Sequence, residues 1–283
     1  MTIFSCRTGL TAPSEVSMPL FIVQKDQLDA FVTAQGESQK NWLKATNFRA
    51  KAGQFTCLPD QNGGMRSGVV VMGKTPLWDI ARVACNLPPG SWHPDFTFAA
   101  DIAVSDIQLG WGLAQYQFAP HKTKEANKTL PLLALSDKAV CTDSSALVLG
   151  THIVREMVNM PANQMTPAGI EQVAREIAQA YSARFSVVSG ESLENYAPAL
   201  HIVGRAAEIK PRMIELQWGD SGPVITLVGK GISFDSGGLD IKPSKAMEIM
   251  KKGYGRCCPC AGNCSCADDS RRKLPVAGAD RSC

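Results

Sequence analysis

The chain reads as a two-part α/β protein, and three observations carry that reading. Short apolar runs with strand character alternate with stretches of helical apolar spacing from about residue 19 to residue 252. A polar stretch closed by a proline, HKTKEANKTLP from His121 to Pro131, divides that alternation into two groups. The second group ends in VGKGISFDSGGLDIKPSKAMEIMKK (228–252), a run of glycines, lysines and aspartates behind an apolar segment. The expected architecture is a small N-terminal α/β domain followed by a second α/β domain with a central mixed sheet.

Residues 1–18 carry Pro, Ser and Thr without apolar periodicity and are expected to be a disordered leader, with Met18 as an alternative start to Met1. The first domain is expected over 19–120. PLFIV (19–23) has the continuity of a short buried strand. Residues 25–46 place Leu28, Phe31, Val32, Trp42 and Leu43 at roughly helical spacing, with a break near Gly36. FTCL (55–58) and SGVVVMG (67–73) flank Asp60-Gln61-Asn62-Gly63-Gly64, a strong hairpin turn. PLWDIARVACNL (76–87) puts Pro76 in a first helical turn and aligns Leu77, Ile80, Val83, Ala84 and Leu87 on one face. FTFAA is a strand candidate and DIQLGWGLAQYQF (106–118) a helix.

Residues 121–150 form the linker and first helix region, in which LLAL restores a strand and SSALVLGTHIVREMVNMP reads as a helix stopping before Pro161. The second domain is expected over 151–252. Thr166 is placed as N-cap and Pro167 as first residue of a helix whose buried stripe is Ile170, Val173, Ala174, Ile177 and Tyr181. FSVVS and the alternating RMIELQW (212–218) are strands, and VITLVGKG has the unbroken apolar character of a central one.

Composition narrows the function classes. An apolar fraction of 45% and a charged fraction of 19% are those of a globular protein. A net charge of +3 with scattered basic residues gives no ground for a nucleic-acid partner. No segment approaches the roughly 20 apolar residues of a membrane span, and the N-terminus has no apolar core of a secretory signal. Cys6, Cys57, Cys85 and Cys141 are widely spaced, as reduced thiols of a cytoplasmic protein are. His93, His121, His152 and His201 show no metal-ligand spacing.

The chemistry sits in the segment 228–252. A Lys and an Asp five apart, Lys230 and Asp235, would face the crevice at the C-terminal edge of a buried strand, where open α/β sheets keep their sites. Gly237 and Gly238 permit positive φ and close backbone approach. From the residues alone this is either a phosphate-binding loop or a plain strand end. The Walker A spacing is absent.

LVGKGISFDSGGLDIKPS closely resembles the active-site segment of the leucyl (cytosol) aminopeptidase family of dinuclear metallopeptidases. VREMVNMPANQMTPAGI (154–170) and HIVGRAAEIKPRMIELQWG (201–219) resemble that family's preceding landmarks, so the likeness runs from about Pro19 to Lys252. The resemblance implies that Lys230 ligates the more weakly held metal as a neutral amine in a buried site. It implies that Asp235 bridges both metals and that Lys242 is the catalytic lysine polarising the peptide carbonyl. It further implies two divalent ions, Zn²⁺ or Mn²⁺, a bicarbonate, peptide substrates cut at the N-terminal residue, and a homohexamer. Asp240, Lys245, Glu248, Lys251 and Lys252 are expected at the surface.

The pattern breaks after Lys252. The family has MKKDMGGAA where this chain has MKKGYGRCC, so Gly253 stands in place of a third carboxylate ligand. A further Asp, Glu and Arg expected downstream are not found. Residues 253–283 hold six of the ten cysteines and no apolar periodicity. With permitted codons, loss of one base at Gly253 turns the following residues into Asp-Met-Gly-Gly-Ala-Ala-His-Ala-Leu-Ala-Ile-Ala-His-Ala-Leu-Met. The family motif returns, and the cysteines at 257, 258, 260, 264 and 266 become alanines of a good helix former. LPV (274–276) resembles the family's next strand in the original frame, which points to a second slip. The expectation is a frameshifted, truncated and catalytically incomplete chain. The competing reading is a non-catalytic protein or pseudoenzyme whose C-C-x-C-x₃-C-x-C tail holds Zn²⁺ or Cu(I).

Overall fold

The computed structural model describes residues 8–60, 62–118 and 129–254, and the backbone of 276–279. The described residues divide into two compact units that meet between Val148 and Leu149, inside a single helix.

The first unit is a six-stranded sheet with helices on both faces. Its strands are β1 (Leu10–Thr11), β2 (Met18–Gln24), β3 (Phe55–Pro59), β4 (Met65–Met72), β5 (Ser91–Phe98) and β6 (Leu132–Ala134), in the order β1-β6-β5-β2-β4-β3. All neighbours are parallel except β3 and β4, the hairpin read from Asp60–Gly64. Asp60 builds that turn by accepting from the amides of Asn62 and Gly64, each at 2.8 Å. Along β2, Leu20 and Ile22 join a core with Val70, Ile80, Val83, Trp92, Ile107 and Trp111. The alternate residue Val23 joins a second core with Phe31, Leu43, Leu58, Val69 and Val71. The two-residue period of a strand thus feeds both faces. Helices α1 (Leu28–Ala34) and α2 (Glu37–Ala45) break at Gln35–Gly36, where the helical spacing lapsed. Helices α3 (Pro76–Ala84) and α4 (Val104–Ala114) cross closely, because a Cβ on Gly110 would lie 2.2 Å from the Leu77 carbonyl oxygen.

Leu10–Thr11, within the segment expected to be a disordered leader, pair in parallel with Leu133–Ala134. The edge of β6 offers backbone partners there, which composition does not reveal. Residues 1–7 and 119–128, including His121 and most of the polar linker stretch, lie outside the described residues.

Helix α5 (Thr142–Asn159) leads into the second unit. Helix α6 (Pro167–Ala180) is capped as its sequence indicates, the Thr166 hydroxyl accepting from Gly169 N at 3.2 Å. It buries Val173, Ala174, Ile177 and Ala178, while Ile170 and Tyr181 are only half-buried. The short helices α7 (Leu193–Tyr196) and α8 (Pro198–Gly204) follow β7 (Arg184–Ser189) and precede β8 (Arg212–Trp218). The sheet continues with β9 (Ile225–Thr226) and β10 (Val276–Ala279) in the order β7-β8-β10-β9. It is mixed: β8 is antiparallel to β7 and β10, and β10 is parallel to β9.

VITLVGKG does not form the long buried strand expected of it. Only Ile225 and Thr226 pair, and Val224, Val228 and Phe234 are exposed. A strand needs cover on its faces to keep such residues from water, and no described element supplies it.

Candidate active site

The segment after β9 runs without regular structure to α9 (Ser244–Met247) and a 3₁₀ turn at Met250–Lys252. What shapes it is a loop closed by its own side chains. Asp235 Oδ1 accepts from Gly237 N at 2.9 Å, and Asp235 Oδ2 accepts from Lys242 Nζ at 2.8 Å. Lys242 Nζ also donates to the Asp235 carbonyl at 3.1 Å, and Lys242 N donates to Ser236 O at 2.8 Å. The two glycines make the closure sterically feasible. Gly237 has φ +99° and Gly238 φ +68°, and a Cβ on Gly237 would stand 2.2 Å from Asp240 O.

These partners set the electrostatics. The hydrogen bond from Lys242 holds the Asp235 carboxyl below the usual range, helped by the Gly237 amide, with a weaker pull from Lys230. The fold therefore brings Lys230, Asp235 and Lys242 into one neighbourhood, although they span thirteen residues of chain. Lys230 is exposed and Asp235 is half-exposed, however, where a buried site was expected. The reason is the missing cover already noted along 224–249: Leu239, Ile241 and Ile249 also face solvent. Asp240, Lys245, Glu248, Lys251 and Lys252 are exposed as expected.

Gly253 lies at the foot of the loop with φ −63°, its amide donating to Met250 O at 2.7 Å. A Cβ there would meet the carbonyl oxygens of Ile232 and Met250 at 3.0 Å. The next residue, Tyr254, is fully buried and donates from its hydroxyl to Met160 O at 2.6 Å. Burial also raises the Tyr254 phenol above its ordinary pKa. This anchor, which ties the end of the segment to the end of α5, had no sequence signal, because it falls on the first residues of the break.

The donor set does not fit a two-metal centre. Among the described residues no three His, Cys, Asp or Glu side chains gather closely enough to hold an ion. Both oxygens of Asp235 already have internal partners. Two candidate ligands, Lys230 and Asp235, are too few for cations that each take four or more. The cysteine-rich tail from 255 to 275 lies outside the described residues.

An α/β fold of two units with a Lys-Asp-Lys loop after a sheet strand defines a class that comparison makes definite. The M17 aminopeptidase N-terminal domain matches residues 18–135, and the catalytic domain of the cytosol aminopeptidase family matches residues 152–279. The chain belongs to the cytosol aminopeptidase family. A probable cytosol aminopeptidase of Halorhodospira halophila is 29% identical over 244 residues, covering 74% of this chain and 49% of the relative. One from Geobacter sp. (strain M21) is 35% identical over 163 residues, 53% of this chain and 33% of the relative. The crystal structure of the cytosol aminopeptidase from Coxiella burnetii superposes with a TM-score of 0.86 at 28% identity, covering 96% of this chain and 61% of that one. The bottromycin maturation enzyme BotP in complex with Mn shares the fold at a TM-score of 0.76 and 22% identity. The chain thus spans about half or less of the length of these curated relatives.

Proposed function

We propose that this chain carries the N-terminal domain and the first part of the catalytic domain of a metal-dependent aminopeptidase that releases N-terminal, leucine-type residues from peptides. The observation that carries the reading is the Lys230–Asp235–Lys242 loop, lying within the catalytic-domain match. In this reading Asp235 and Lys230 are metal ligands and Lys242 is the catalytic lysine. Bound Zn²⁺ or Mn²⁺ would supply the Lewis acid, a bicarbonate would assist proton transfer, and the complete enzyme would act as a homohexamer in the cytoplasm. No helix among the described residues is long and apolar enough to cross a membrane, and no nucleic-acid partner is proposed.

We further propose that the residues from Gly253 onward are read out of frame, and that the chain as written is catalytically incomplete. The misfit of the donor set supports this. So does the return of family character downstream: Val276–Ala279 pair between β8 and β9, and the family match extends to residue 279. The contrasting reading, a non-catalytic protein, draws on the apolar residues left exposed along 224–249.

Hydrolysis of leucine p-nitroanilide with added Mn²⁺ separates these readings. The chain as written is expected to be inactive, and a version with the frame restored from residue 253 is expected to cleave. Activity from the unaltered chain overturns the incomplete reading. Inactivity of a folded, metal-loaded restored chain overturns the aminopeptidase reading.

A further inference from the structure

The first unit contains an open hollow of about 620 Å³ that the reading above does not use. It is lined by the loop from Asn47 to Gln54, which joins α2 to β3, and by Arg82 in the last turn of α3. Its charged lining residues are Arg49, Lys51 and Arg82, and none is acidic. The loop is held in place from within. Phe48 N donates to Leu43 O at 2.9 Å, Gly53 N to Val71 O at 2.8 Å and Gln54 N to Lys51 O at 2.9 Å. The Gln54 side-chain oxygen accepts from Arg49 N at 3.1 Å, and Asn47 Oδ1 accepts from Arg49 Nε at 2.8 Å. Asn47 and Gly53 both have positive φ, +51° and +73°.

These contacts fix the loop backbone and the Arg49 side chain without neutralising the cations. The two terminal nitrogens of Arg49, the Lys51 ammonium and the Arg82 guanidinium have no hydrogen-bond or ion-pair partner among the described residues. The carboxylate recorded beside the hollow, Asp79, is buried behind Gly53 and accepts from Gly73 N at 2.8 Å. Asn47 holds Arg49 through Nε, which leaves its two terminal nitrogens free for a bidentate acceptor.

We propose that this hollow binds a small ligand bearing a phosphate or polyphosphate group. Two guanidinium groups and an ammonium lining one cavity match the negative charge of such a group. The volume lies within the range of small-molecule sites, about 300–1,000 Å³. The proposal lies in a different unit from the peptidase loop and is independent of it.

Titration of the full chain with inorganic tripolyphosphate in a calorimeter tests it. Saturable one-to-one binding is expected, weakened at least tenfold in the R49Q/R82Q variant. The K25Q/K138Q variant, which removes the same charge from exposed positions elsewhere in this unit, is expected to change affinity less than twofold. K51Q serves as a single-site check if the double variant melts early, and is expected to weaken binding several-fold. Absence of saturable binding, equal loss in both double variants, or binding only of long oligonucleotides overturns the proposal.

Discussion

Lys242 Nζ sits 2.8 Å from Asp235 Oδ2, so the ammonium of the proposed catalytic lysine occupies the carboxylate proposed to bridge the metals. An internal cation thus closes the loop. The pair is partly exposed, 36% and 51% at the two side chains, and contributes little to global stability. The K242M variant is therefore expected to lower unfolding free energy by less than about 1 kcal/mol. Its local effect is expected to be larger: the Gly237 amide should exchange with solvent hydrogen markedly faster. Unchanged exchange at Gly237 would show that the lysine does not close the loop.

Metal content provides a second check. After equilibration with Zn²⁺ or Mn²⁺ and dialysis, the chain as written is expected to retain metal substoichiometrically in elemental analysis. The G253D variant restores one carboxylate at a position whose φ of −63° suits any residue. Its new Cβ meets two carbonyl oxygens at 3.0 Å, so a small loss of stability should accompany a gain in metal affinity. Stoichiometric retention of two ions by the unaltered chain contradicts the misfit described above.

Glu171 ties α6 to β8. It accepts from Arg175 at 2.7 Å and forms a short contact with Arg212, while Arg175 lies 4.4 Å over the Phe185 ring. Partial burial pushes the Glu171 carboxyl up, but the hydrogen bonds from Arg175 and Arg212 outweigh it and leave its pKa lowered. A depressed carboxylate stabilises the fold above its unfolded pKa, and that stability disappears as pH falls through the folded value. E171Q is expected to cost about 1–3 kcal/mol at neutral pH, since it leaves the half-buried Arg212 without its anion. The difference between wild type and variant in chemical denaturation should shrink as pH falls below the ordinary glutamate range and through the lowered folded value. A pH-independent difference would indicate a packing effect instead.

Gly110 sets the closeness of α3 and α4. With the Leu77 carbonyl 2.2 Å and Ile80 Cγ2 2.5 Å from any added Cβ, the helices must part to admit one. G110A is expected to destabilise the first unit by roughly 1–3 kcal/mol or more despite alanine's better helix propensity. Urea denaturation followed by tryptophan fluorescence measures this, and a neutral or stabilising result refutes the tight crossing.

The exposed apolar run at Val224, Val228, Phe234, Ile241 and Ile249 gives a fifth expectation. The chain as written should bind a hydrophobic dye strongly and aggregate, and the frame-restored chain should do neither. A soluble chain that melts cooperatively as a monomer argues against it.

The first unit was readable because its signals are local. Pro76, the Asp60–Gly64 turn and the lapse at Gly36 each act within a few residues, and the structure places element boundaries close to them. The pairing of Leu10–Thr11 with β6 was not readable, since a two-residue edge strand depends on its neighbour's open backbone and hardly on its own composition. Lys230, Asp235 and Lys242 stood out as a motif, and Gly237 and Gly238, read as permitting positive φ, lie in the turn that lets Lys242 reach Asp235. The exposure of the motif was not readable, because burial is decided by distant segments. VITLVGKG has the composition of a central strand and behaves as an edge, since apolar continuity records what a strand is suited to and not what covers it. Tyr254 shows the same limit in reverse: a residue inside a disrupted motif is buried because Met160 O offers it a partner.

The strand order β7-β8-β10-β9 also has a consequence in time. The member that joins β8 to β9 comes from residues 276–279, some fifty residues after β9 in the chain. During synthesis the first unit has all its strands once β6 emerges, whereas β9 must wait without a neighbour until β10 arrives. Loop-closure entropy disfavours such late, long-range pairing. The segment bearing Lys230 and Asp235 is thus expected to be among the last to settle on the ribosome, and the one most open to chaperones and proteases until it does.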